Sequence, residues 1–172
     1  MTFKGINNQT VELEITNYQF PEITDDDWDS NWLNIYLKVN STFGNWQIVD
    51  PMLTTFEVKG LINWLDNLSN NILPEYTGIG FLEPYISFEL MDSVDSETKT
   101  IRIEFYYIFP MESAGDDKKC FVDFIADNNE IKCIVVDLKK ELEKYPIRNR
   151  AQRVLSPKKG FLGVTNFLDS NK

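Results

Sequence analysis

Four aspartates, Asp25, Asp26, Asp27 and Asp29, fall within five positions of the stretch TDDDWDSNW (24–32), with Trp28 among them and Trp32 closing it. Carboxylates at this density can hold a divalent cation, work in pairs as general acid and base, or face a cationic partner. The calcium reading can be checked position by position. Asp25, Asp27 and Asp29 take the first, third and fifth places of an EF-hand register, but Ser30 stands sixth, where the tight turn needs glycine. Tyr36 stands twelfth, where a bidentate glutamate belongs, and the flanks read as strands rather than helices. A small-molecule or cation-binding use of loop 25–29 is therefore the alternative, and a surface offered to another protein the leading reading, with Asp25, Asp26, Asp27, Trp28 and Asp29 as the candidate partner-binding residues.

The rest of the chain offers chemistry little support. It contains no histidine, which removes Ser–His and Cys–His nucleophile systems, histidine bases and histidine metal sites together. Two cysteines are too few for a structural zinc site. Gly78 and Gly80 make a lone GxG, with Glu83 where a phosphate cradle needs its third glycine. Glu83, Glu89, Glu104 and Asp123 lie in or beside strand patterns on expected solvent faces, and nothing pairs two of them as acid and base. The expectation is a protein that is not an enzyme, with no metal site and no cofactor.

The elements that position these residues follow from periodicity. Val11, Leu13 and Ile15 alternate with Glu12, Glu14 and Thr16, and Leu33, Ile35, Leu37 and Val39 alternate with Asn34, Tyr36 and Lys38, so a strand lies on each side of the acidic loop. WQIVDPML (46–53) is a third strand that Pro51 should bend or end. Strands also read at 85–91, 100–110 and 119–127, with Ile101, Ile103, Phe105, Tyr107 and Phe109 sharing one face of the fifth. Thr54 with Glu57, and Asp127 with Glu130, have capping-box spacing. Each opens a helical stripe: Val58, Leu61, Ile62, Leu65 and Leu68 in the first, Ile131, Ile134/Val135, Leu138 and Leu142 in the second. The predicted fold is α+β, an antiparallel sheet of about six strands with two amphipathic helices packed on one face.

The chain of 172 residues suits one domain over 1–148, followed by a basic C-terminal extension over 149–172. That extension carries five bases against one acid, which leaves −14 of the net −10 on residues 1–148. A body this acidic repels nucleic acid and attracts basic partners. No apolar run approaches membrane-spanning length and the opening MTFKGINNQT has no signal-peptide core, so a cytoplasmic protein without membrane contact is expected. Cys120 and Cys133 both sit in apolar patterns and read as small buried hydrophobes.

Several segments resemble a known family. They are Tyr18-x-Phe20-Pro21, Asp27-Trp28-x-Ser30-Asn31-Trp32-Leu33, Trp46 with Asp50-Pro51, and the helix carrying Trp64 and Leu65. Glu83-Pro84, Ser87-Phe88 and ELEKYPIR (141–148) continue the likeness over roughly residues 10–148. Together they are similar to WapI-type immunity proteins, small cytoplasmic partners of bacterial contact-dependent toxins. The resemblance implies inhibition by direct binding to the C-terminal domain of a cognate toxin, often a nuclease and basic in its groove.

Overall fold

A computed structural model describes residues 1–24, 28–107 and 120–148. Two four-stranded antiparallel sheets and two helices make up an α+β fold. The first sheet runs in order β1 (Thr2–Lys4), β2 (Thr10–Tyr18), β3 (Trp32–Ser41) and β4 (Gly44–Thr54). Helix α1 (Thr55–Ser69) follows it. The second sheet is β5 (Gly78–Gly80), β6 (Ile86–Leu90), β7 (Thr98–Phe105) and β8 (Cys120–Asp127), and α2 (Asn128–Lys144) comes after.

The class agrees with the sequence, and the strand number does not. Eight strands in two sheets replace about six in one. The two additional strands, β1 and β5, are three residues each, too short to show a period of two. Their pairings fix them instead: Phe3 opposite Val11, and Ile79 opposite Phe88. Of the two outcomes expected at Pro51, the strand does not end there, since β4 continues to Thr54, and its ladder is irregular beside it. β4 is an edge strand, and Pro51 sits beside a register shift between Leu33 and Asn34, where a missing N–H costs no ladder bond. β7 stops at Phe105, and Tyr107 has left the sheet with φ of 63° and an exposed ring. Phe109 lies outside the described residues.

Both capping boxes form. Thr54 Oγ1 accepts from the Glu57 N–H while the Glu57 carboxylate accepts from the Thr54 N–H, and Asp127 and Glu130 repeat the arrangement. The helices pack on each other, and one buried cluster draws on both sheets and both helices. Leu33, Ile35, Leu37 and Val39 supply the β3 face of that cluster, as their alternation requires. Cys120 is buried, but Cys133 is exposed, because it falls off the Ile131–Val135–Leu138 stripe of α2.

The sheets meet where β1 ends. Gly5 bridges Phe124 of β8, and Phe3 packs its ring 5.1 Å from Phe124 and 5.8 Å from Phe88. A Cβ on Gly5 would lie 2.5 Å from Val122 Cγ1 and 3.1 Å from the Asp123 carbonyl oxygen. Space, not backbone freedom, demands glycine here, since its φ of −76° suits any residue. Gly5→Ala should cost about 1–3 kcal/mol by overpacking, read as a lower urea midpoint. An unchanged midpoint would mean that the two sheets can part without loss.

Among the described residues, one lysine is fully buried. Lys99 on β7 directs Nζ to Asn71 Oδ1 at 2.9 Å, the Ser96 carbonyl at 3.1 Å and Asn128 Oδ1 at 2.6 Å. Asn71 lies just past the end of α1 in the left-handed region (φ 56°), and Asn128 is the first residue of α2. Asn128 also donates to Asn71, so one cluster ties the exit of one helix to the entry of the other.

Candidate functional site

The loop joining β2 to β3 turns away from the ladder after Tyr18, and its carbonyls need partners from elsewhere. A single side chain supplies them. Arg148, three residues past the end of the Tyr145 cap of α2, reaches the loop and places Nη1 3.1 Å from the carbonyl oxygen of Phe20, 3.0 Å from that of Pro21 and 2.9 Å from that of Ile23. Its guanidinium carbon stands 3.4 Å over the Tyr18 ring. A planar fork of donors that also stacks on an aromatic face is the property that separates arginine from lysine. The Tyr18 hydroxyl donates to the Pro146 carbonyl, and the Tyr145 hydroxyl donates to that of Thr16 at 2.8 Å. Tyr18 and Tyr145 meet edge to face at 5.5 Å. Burial pushes the Tyr18 phenol above its ordinary pKa, against the opposing pull of the Arg148 charge.

The other end of the loop is held by Asn31. A one-turn 3-10 helix, Asp29–Asn31, brings its side chain inward, where Asn31 is completely buried. Its Oδ1 accepts from the Arg148 N–H at 2.9 Å and from the Thr55 hydroxyl at 2.8 Å, and its Nδ2 donates to the Arg148 carbonyl at 3.0 Å. Loop, helix α1 and the segment after α2 thus converge on one amide. Ser30 beside it is buried as well, and Asn31 Nδ2 also lies 3.2 Å from its hydroxyl.

Of the residues singled out by sequence, Trp28 and Asp29 stand exposed at the start of the 3-10 turn. Asp25, Asp26 and Asp27 lie outside the described residues. Asp29 also borders a notch of about 280 Å³ whose other walls are Gln19, Phe20, Trp32, Pro51 and Glu83. Sequence reasoning missed Arg148 and the notch. The only signal for Arg148 was its place in the ELEKYPIR likeness, because 117 residues separate it from Asn31 and no local period links them.

Of the acids on the strands of the second sheet, Glu89 is exposed as its pattern suggests, while Glu104 and Asp123 are less solvated. Glu104 is buried between Ser87 and Phe121 in the cross-strand register and accepts a hydrogen bond from the Tyr106 hydroxyl. Asp123 pairs in a fork with Arg102, Nε to Oδ1 at 2.7 Å and Nη2 to Oδ2 at 2.9 Å. The Tyr106 phenol is pushed up to about 12 by burial first, then by its bond to Glu104 and the charges of Glu104 and Glu89, with Ser87 pulling the other way. Its folded value exceeds the ordinary 10.0, so the stability it brings is complete below pH 10 and is lost as pH rises through 12. Tyr106→Phe should flatten the fall of the denaturation midpoint across that window. An equally steep fall in the variant would assign the alkaline limb to other groups.

Among the described residues, no three His, Cys, Asp or Glu side chains converge where they could hold a metal ion, and no helix is long and apolar enough to cross a membrane. What the described residues show instead is that the two ends of the loop, at Tyr18–Ile23 and Asp29–Asn31, are fastened by Arg148 and Asn31 to a small α+β body. A family model for WapI-like immunity proteins matches residues 2–146, and the chain belongs to that family. Membership makes neutralisation of a toxin by binding its class of work. No curated protein and no solved structure matches the chain.

Proposed function

We propose that this immunity protein is a non-catalytic cytoplasmic inhibitor that binds the C-terminal domain of its cognate toxin, a nuclease with a basic groove, and blocks that groove with the acidic loop 25–29. The observation that carries the reading is the clamp. Asn31 and Arg148 hold the two ends of the loop, and ends fixed before association leave less entropy to lose on binding. Clustered carboxylates on a body of net −14 speed encounter with a basic domain and compete with the phosphates of its substrate. Direct occlusion needs no reactive group, only shape and charge.

Co-expression with the toxin domain encoded beside its gene tests this. Cells carrying both should survive where cells with the toxin domain alone die, and the purified pair should associate more weakly as salt rises. Equal killing with and without the protein would overturn the reading. Binding that is indifferent to salt would remove its electrostatic part.

A further inference from the structure

The notch beside the loop has a composition that calls for one kind of occupant. Asp29 and Glu83 bring carboxylates to it from two separate connections, the β2–β3 loop and the segment between β5 and β6. Phe20 and Trp32, both half-buried, add aromatic surface, and Pro51 and Gln19 complete the wall. Its volume of about 280 Å³ falls just under the roughly 300–1,000 Å³ of small-molecule pockets and suits one long side chain. Acidic and aromatic residues lining one notch suit a planar cation, which can fork to a carboxylate while its face lies on a ring.

The same loop already shows this chemistry on its other side. Arg148 stacks on Tyr18 and gives its hydrogen bonds to the carbonyls of Phe20, Pro21 and Ile23, so the segment that borders the notch through Phe20 already seats one guanidinium. Asp29 belongs to the turn that Asn31 fixes, and Trp32 follows it directly, so two sides of the notch are set by the clamp. We infer that this notch seats a single arginine side chain of the toxin domain and anchors the complex. The inference rests on the inhibitory reading above and adds to it a contact of defined chemistry outside residues 25–27.

The test is calorimetric titration of the adjacent-gene toxin domain, in an inactivated form, into the protein and its variants. Glu83→Gln should weaken binding by about tenfold or more, the size expected for a desolvated charge contact at an interface centre. Gln19→Arg, which lets the protein fill its own notch, should weaken it comparably while leaving Glu83 in place. Glu97→Gln makes the same charge change at the opposite end of β6 and β7 and should stay within about twofold, since it touches only long-range steering. Among the arginine-to-alanine variants of the toxin domain, one should cost affinity against the wild type and nothing more against Glu83→Gln. If the wild type protects cells and binds, yet Glu83→Gln and Gln19→Arg bind as tightly, the notch is not the anchor and the inhibitory reading survives. If the wild type neither protects nor binds, it is the inhibitory reading that fails.

Discussion

Asn31→Ala is expected to cost about 3 kcal/mol of folding stability. Asn31 is completely buried and answers three groups: the N–H and carbonyl of the half-buried Arg148 and the hydroxyl of Thr55. Thr55 is itself fully buried, so its donor would be stranded by the substitution. Each buried polar group left unpaired costs about 1–3 kcal/mol, and partial relaxation of the Arg148 segment recovers some of the total. For a chain of 172 residues the melting temperature should fall by roughly 6–12 °C. Asn31→Asp separates hydrogen bonding from size. It keeps an acceptor for Arg148 N–H and Thr55 but turns an oxygen toward the Arg148 carbonyl, so it should also destabilise. A shift under about 2 °C for both variants would show that the amide does not hold the loop.

Lys99→Met carries the second large effect. Replacing a complete buried polar cluster with apolar side chains is often neutral or stabilising, which would argue for little change. This substitution removes only the donor. It leaves Asn71 Oδ1, the Ser96 carbonyl and Asn128 Oδ1 around a methyl group, and only Asn71 retains an alternative donor, the Asn128 amide. Asn71 is exposed and Ser96 and Asn128 are half-buried, so water answers part of the loss, which still wins over the gain in hydrophobicity by about 1–3 kcal/mol. Urea unfolding should show a lower midpoint with an unchanged slope, because the fold exposes the same area on unfolding. A midpoint equal to or above that of the wild type would mean that the oxygens find other donors. Lys99→Ala should fall further, since it adds a cavity to the same defect.

What could be read from sequence divides along a physical line. Features with local causes were legible: the alternation that buries Leu33 through Val39, the capping boxes at Thr54 and Asp127, and the helical stripes they open. Even the exposure of Cys133 was available, since helical spacing alone moves it off the apolar stripe. Features set by long-range register were not. Thr2–Lys4 and Gly78–Gly80 are strands only because of what they lie beside, and the division into two sheets turns on a single bridge from Gly5 to Phe124. Lys99 shares the inward register of Ile101 and Ile103 but its charge spoke against burial, whereas Glu104 sat where alternation predicts solvent; both are buried among partners that no local period specifies. The acidic loop was conspicuous by composition, whereas the arginine that holds it looked like one more base after a helix.

The Arg148 clamp also sets an order of events during synthesis. The loop and both of its flanking strands leave the ribosome more than a hundred residues before the arginine that holds them, given the 117-residue separation from Asn31. Domains begin to fold as they emerge, so the first sheet can pair while its loop still lacks a lock. A chain cut between Lys144 and Arg148, by a stop codon or a protease, would keep both capping boxes and every described strand yet carry the loop unfastened. Arrival of Arg148, rather than formation of the core, is then the step that fastens the loop.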